Sequence, residues 1–245
     1  MSIKNYLKMQ KNHYQSEASR WSLQNKNPVV GGYDKHNAWA DYDNYLFKDL
    51  DTKELIALDY GTGPGRNIIK FNDRFKRIDG VDISQKNIDN AKINLNAVGI
   101  KTDYKLFVCD GKSTPCENET YDVWFSVICL QHIASYSIRF GILKDAYRIL
   151  KPNGYICFQM GYGGRDENSH NYQVYKRNNS IITADYYADD YDAQTTNGFH
   201  DVSIGHESQI IGDLEKIGFK DIRFDLRPTG PGDTHKQWIF VQGKK

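Results

Sequence analysis

The chain has 245 residues, and its 32 Lys and Arg against 31 Asp and Glu leave a formal charge of +1. That length fits one large domain with a substantial core, and the even charge balance argues against a nucleic-acid partner held mainly through phosphate contacts. No apolar run approaches the ~18–20 residues of a membrane-spanning helix, and the polar start MSIKNYLKMQKNHYQ lacks the apolar stretch of a signal peptide.

Residues 1–30 are polar, with a weak helical pattern near Tyr6–Tyr14 and an isolated Trp21. In VVGGYDKHNAWADYDNYLF, Asp34 is a good helix N-cap, and Trp39, Tyr42 and Leu46 fall on one helical face. Such a stripe either packs on the core or closes over a ligand. The chain is organised around the next stretch, LIALDYGTGPGR, Leu55–Arg66. It reads as a buried strand (Leu55–Asp59), a tight turn through Gly61, Gly63 and Gly65, and a helix over about Arg66–Phe75. Glycine lets a ligand approach such a turn closely, and the helix start behind it offers free N–H groups.

A dinucleotide fingerprint would read G-x-G-x-x-G. Here the spacing is G-x-G-x-G, and Arg66 stands where the third glycine would fall. Asp59 puts a negative charge where a polyanion would have to sit, and suits a ligand with a cationic amino group. Asp59-Tyr-Gly61-Thr-Gly63-Pro-Gly65 resembles motif I, [DE]-x-G-x-G-x-G, of the class I S-adenosylmethionine (SAM)-dependent methyltransferases. The resemblance implies cofactor contacts from Asp59, Gly61, Thr62, Gly63 and Arg66. It also implies that N-terminal helices, within residues 1–50, form a lid over the cofactor.

A second strand, Ile78–Ile83, stops at Ser84, an N-cap for a helix over Gln85–Val98. Asp82 closes that strand 82 − 61 = 21 residues after the first glycine, the place of the acid that accepts hydrogen bonds from ribose hydroxyls. That feature serves NAD and SAM alike. Asp79 is the competitor, set aside because it comes earlier in the strand. Ile83 stands where the resembled family often places an apolar contact to adenine. A third strand, Tyr104–Cys109, ends in Asp110-Gly111, and by the same resemblance Cys109, Asp110 and Gly111 meet the adenine. Asp59, Asp82 and Asp110 each close a successive strand, and α/β ligand sites form at the carboxyl ends of strands.

The fourth strand, Tyr121–Ile128, runs into Cys129-Leu-Gln-His-Ile133, similar to the family's motif IV segment. By that resemblance Ser126 and Val127 line the methionine end of the cofactor, and Gln131 and His132 face the methyl-transfer point. His132 is the first choice for general base or substrate partner, with His170, His200, His206, His235 and the loop tyrosines behind it; a structural role is the alternative. Ser135 or Ser137 starts a helix to Leu150, KPNGYICFQM gives a turn and fifth strand, and a further helix ends near Gly218. Lys220–Arg227 and Lys236–Gln242 then read as two strands joined by Pro228–Thr234. Strands alternating with helices indicate an α/β sandwich. The resemblance makes it a single Rossmann-like α/β/α domain, its mostly parallel seven-stranded sheet carrying an antiparallel C-terminal strand.

Residues 161–204 are too long for an ordinary connection. They carry six tyrosines (Tyr162, Tyr172, Tyr175, Tyr186, Tyr187, Tyr191), with His170, Arg165, Lys176 and Arg177 ahead of Asp185, Asp189, Asp190 and Asp192. We read this insertion as a cover for the acceptor pocket; a surface excursion or a dimer contact, and with it a homo-oligomer, stays open. The four cysteines (Cys109, Cys116, Cys129, Cys157) have no C-x-x-C spacing and read as free thiols of a cytoplasmic protein. No metal-ligand cluster stands out, so no metal is expected. Where nucleic-acid amino-methyltransferases often carry Asn/Asp-Pro-Pro-aromatic, this chain has Ser126-Val-Ile-Cys129. The expectation is methyl transfer from SAM, leaving S-adenosylhomocysteine, to an oxygen or nitrogen of a small molecule. The alternatives are an NAD-linked oxidoreductase and a non-catalytic SAM-binding regulatory subunit.

Overall fold

The computed structural model describes residues 2–20, 41–100, 102–165, 168, 186–189, 202–230, 233 and 235–245. Trp21, Asp34, Trp39, His170, His200 and most of the insertion lie outside them. The first five strands are parallel: β1 (Ile56–Tyr60), β2 (Arg77–Asp82), β3 (Leu106–Val108), β4 (Tyr121–Val127) and β5 (Leu150–Arg165). β6 (Ser203–Ile204), β7 (Lys220–Pro228) and β8 (His235–Lys244) follow. The order is β3-β2-β1-β4-β5-β8-β7, with β8 antiparallel to both neighbours. β1, β2 and β4 are buried on both faces, which is why they read as near-continuous apolar runs.

The described residues hold eight strands rather than the expected seven. The addition, β6, pairs parallel with Gly161 and Tyr162 of β5. β4 stops opposite Gln159, so β5 is left with an open edge from Gly161 onward, and Ser203-Ile204 fills it. Two residues are too few for an alternating pattern to announce a strand.

Six helices are described: α1 (Ile3–Glu17), α2 (Tyr42–Leu46), α3 (Arg66–Phe71), α4 (Gln85–Val98), α5 (Tyr136–Ile149) and α6 (Glu207–Ile217). Ser84 and Ser135 cap α4 and α5, each side chain accepting from the N–H three residues on. α3 is shorter than expected. Thr52 Oγ1 donates to the Arg74 carbonyl at 2.9 Å and Lys53 Nζ to the Asp73 carbonyl at 3.0 Å, so the chain turns through a 3-10 step at Asn72–Arg74. On one sheet face, Ile138, Ile142, Ala146 and Ile149 of α5 and Ile210 and Leu214 of α6 pack on Trp124, Phe158 and Ile239. On the other, Tyr42 and Leu46 of α2 and Ile68 and Phe71 of α3 pack on Phe125, Cys157 and Phe240.

Asp79 belongs to this frame. It is fully buried and accepts from Lys105 N at 2.8 Å and from Tyr121 Oη at 2.9 Å. Arg77 is its ion-pair partner at 3.1 Å.

Candidate functional site

The turn after β1 is built by its neighbours. Gly61 and Thr62 both donate their N–H to the Val81 carbonyl, at 2.9 and 3.0 Å. Gly63 donates its N–H to Asp82 Oδ2 at 3.0 Å. A side chain at Gly61 would run into Cys129, whereas at Gly63 the space in front of the backbone is open. The loop thus has a packed side against the end of β4 and a free side.

Asp82 holds the loop to the next strand. Its Oδ1 accepts from Ser84 N at 2.8 Å and from Asn87 Nδ2 at 3.2 Å. Burial raises its pKa even so, against the N–H groups of Ser84 and Gly63 and the Asn87 amide. Each carboxylate oxygen carries two lone pairs, and Oδ2 shares one with Gly63, so a further donor can be accepted there.

Asp59 lies beneath the turn, with no exposed surface. Asn67 of α3 donates to its Oδ1 at 3.2 Å. Burial pushes its pKa up to about 7, opposed by Thr62, Asn67 and the nearby Arg66 cation, while Asp82 adds to the rise. Asp110 is the opposite case, exposed at the end of β3. Its Oδ1 accepts from Lys112 N and Ser113 N, both at 2.8 Å. Partial burial acts to raise its pKa, but those N–H groups outweigh it and hold the carboxyl below its usual value. Asp110 is ionised and Oδ2 has room for a donor. Cys109, buried beside it, has its thiol pushed up to about 12 by burial, so it is inert packing.

The helix that crosses the carboxyl ends of β2, β3 and β4 is α1. The Ala134 N–H donates to Tyr6 Oη at 2.7 Å, and Gln10 Nε2 donates to the His132 carbonyl at 3.1 Å. Gln15 Oε1 accepts from Ser84 Oγ at 2.6 Å and from Lys86 N at 2.9 Å. Leu7 and Ile83 converge on Gly111, where a Cβ would stand 2.8 Å from one and 2.9 Å from the other. Of the second N-terminal stretch, Tyr42 is buried edge-on to Phe240, with ring centroids 5.0 Å apart.

On the β4 side, Ser126 Oγ donates to the Tyr60 carbonyl at 2.9 Å and is fully buried. Val127 ends the strand, and Ile128 then adopts φ 64, a left-handed conformation that costs a β-branched residue about 1–3 kcal/mol. Gln131 is buried and its carbonyl accepts from Val202 N at 2.7 Å. His132 is half-buried in a 3-10 turn. His13 of α1 lies near it: burial lowers the His13 pKa, with Glu17 opposing and His132 adding.

The described part of the insertion is pinned here. Asp189 accepts from Ser135 Oγ at 2.8 Å and Ser137 N at 2.7 Å. Tyr136 and Tyr186 both donate their hydroxyls to Asp213, at 2.8 and 2.9 Å. The buried Arg139 guanidinium donates to the carbonyls of Ile133 and Tyr186. His206 is elsewhere, capping α6, and His235 is buried against Gly161.

This arrangement tests well for an aminoacyl nucleoside: two carboxylates with spare acceptor capacity at adjacent strand ends, and an open approach to the Gly63 backbone. Residues 58–158 match the family model described as a methyltransferase domain. Over that central stretch the chain is similar to methyltransferases. Among relatives of the chain, a sterol 4-C-methyltransferase of Caenorhabditis elegans is 25% identical over 128 residues, covering 52% of this chain and 37% of that protein. A tRNA 5-carboxymethoxyuridine methyltransferase of Escherichia coli is 24% identical over 147 residues, covering 60% and 55%. The chain thus spans well under two thirds of the length of these relatives. In fold it is similar to a phosphoethanolamine N-methyltransferase 2 of Haemonchus contortus, with TM-score 0.63 and 19% identity, over 100% of this chain and 61% of that one. No described helix is long and apolar enough to cross a membrane, and no described cluster of His, Cys, Asp and Glu could hold a metal ion.

Sequence reasoning missed Tyr6, Gln10 and Gln15, and also Gln159, whose Oε1 accepts from the Ile128 N–H at 2.9 Å. A signal was present for three of the four. Tyr6 and Gln10 sit four apart on one face of the weak helical pattern, and Gln159 is a lone polar residue in the apolar run ICFQM.

Proposed function

We propose that this chain transfers the methyl group of SAM to an oxygen or nitrogen of a small-molecule acceptor. The observation that carries the reading is Asp82, whose carboxylate grips Gly63 in the glycine turn and keeps room for a ribose hydroxyl. Asp110, ionised and exposed on the adjacent strand end, takes the adenine amino group, with Ile83, Cys109 and Gly111 around the ring. Asp59, beneath Gly61, Thr62 and Gly63, supplies negative charge to the ligand's ammonium, and Arg66 and Gln131 stand near its amino-acid end with Val127.

When bound, SAM supplies an electrophilic methyl on a sulfonium; the protein's work is then alignment and, for a hydroxyl or ammonium acceptor, removal of a proton. His132 takes that proton in this reading; it follows β4, and α1 reaches its backbone carbonyl through Gln10. The near-neutral charge of the chain supports a small acceptor over a polyanion.

Calorimetry with S-adenosylhomocysteine and NADH tests the cofactor, and binding of NADH alone would remove this reading. Screening metabolite mixtures with methyl-labelled SAM tests turnover. His132→Ala should abolish most labelling while S-adenosylhomocysteine affinity stays within about twofold; undiminished labelling would take the base role from His132.

A further inference from the structure

Gln159 of β5 has no exposed surface, and among the described residues its side-chain nitrogen has no hydrogen-bond partner. The orientation of that amide is not arbitrary. The Ile128 N–H donates to one end of it at 2.9 Å, and only the oxygen can accept, so the NH2 is the end that does not meet Ile128. Gln159 therefore acts twice: its oxygen holds Ile128 in the left-handed turn that leads into Gln131 and His132, and its nitrogen keeps two unused donor hydrogens.

The surroundings on that face follow from the sheet register. Gln159 lies opposite Val127 on one side and Phe240 on the other. Two residues further along β5, Gly161 lies opposite Trp238. There the His235 ring fills the space that a side chain on Gly161 would occupy, 5.1 Å from the Trp238 ring. The strand level of Gln159 is also that of the glycine turn: Asp59 pairs with Phe125, and Val127, two residues on, pairs with Gln159. A buried amide donor thus sits among aromatic side chains beside the end of β4, on the side away from Asp82 and Asp110.

The geometry points to Gln159 as a specificity-determining residue that donates a hydrogen bond to an oxygen of the methyl acceptor. The acceptor class is a small molecule with an aromatic or otherwise apolar body carrying a hydroxyl, phenolic or carboxylate oxygen. An amide NH2 can only donate, so an ammonium group finds no partner there. The inference rests on the methyltransferase reading above and narrows its acceptor.

The test uses methyl-labelled SAM with a panel of phenols, enols and carboxylic acids, a matched panel of primary amines as contrast, and calorimetry with S-adenosylhomocysteine. The wild-type protein should label oxygen acceptors. Gln159→Met should lower kcat/KM at least tenfold while S-adenosylhomocysteine affinity stays within about twofold. Gln159→Glu keeps an oxygen toward Ile128 in both protonation states but has a donor only when protonated, so its activity should appear at low pH and fade as pH rises, a limb the wild type lacks. Labelling of amines alone, labelling of none of the oxygen panel, or unchanged kcat/KM in a folded Gln159→Met would overturn the assignment while leaving the cofactor site intact. Failure of the wild type to bind S-adenosylhomocysteine would remove the methyltransferase reading, and this assignment with it.

Discussion

The ends of β1, β2 and β3 and the ends of β4 and β5 form the two halves of the proposed site, and they are assembled differently. In the first half the three carboxylates are met mostly by near neighbours in sequence: Asp82 by Ser84 and Asn87 besides Gly63, Asp59 by Asn67, Asp110 by Lys112 and Ser113. In the second they are met from far away. Gln10 reaches His132 across 122 residues, Tyr6 reaches Ala134 across 128, and Asp189 reaches Ser135 across 54. The second half also holds the strained Ile128 and the Gln159 nitrogen, which is unpaired among the described residues. On the function proposed above, the half that would bind the cofactor is written into strand–turn–helix units, and the half that would fit the acceptor is put together from separate segments.

The contrast can be broken most severely at Arg139. Arg139→Leu leaves the carbonyls of Ile133 and Tyr186 without their donor inside the core, at about 1–3 kcal/mol for each unsatisfied group. The expected loss is about 3 kcal/mol in urea unfolding, with S-adenosylhomocysteine affinity nearly kept if the halves are separable. Equal loss of both would show that they are one unit.

Asp82→Ala probes the other half. It removes the acceptor of three protein donors, and should weaken S-adenosylhomocysteine at least tenfold, about 1.4 kcal/mol. Calorimetry on a variant shown to be folded measures this, and unchanged affinity would take the ribose role from Asp82.

Asp59 sharpens the comparison through pH. Its folded pKa of about 7 lies above the ordinary 3.8 of an aspartate, so between those values the ligand-free protein holds a proton that the unfolded chain has lost. That contribution to stability is complete below about pH 4 and is lost as pH rises through 7. An ammonium ligand favours the ionised form, so affinity should run the opposite way, increasing severalfold from pH 6 to 8 with proton release on binding. Titrations in two buffers of different ionisation enthalpy would show that release, and a flat profile would separate Asp59 from the ligand.

The smallest effect is expected at Gln15, which ties α1 to Ser84 and Lys86. Gln15→Ala should cost about 0.5–1 kcal/mol, seen as faster amide exchange in α1 with little change in melting temperature. No change in exchange would mean that Tyr6 and Gln10 alone dock the helix.

The sequence by itself determined the alternation of strands and helices, the caps at Ser84 and Ser135, the glycine turn, and the three acids at successive strand ends. Those features depend on local backbone preferences and on burial periods of two or 3.6 residues, which a linear pattern records. Only the tertiary structure decided that α1 crosses the strand ends, that β6 takes up the edge β4 leaves open, and that Gln159 turns its nitrogen away from Ile128. Such choices are made by pairing partners and shared space between segments distant in the chain, and no stretch of residues carries both sides of such a contact.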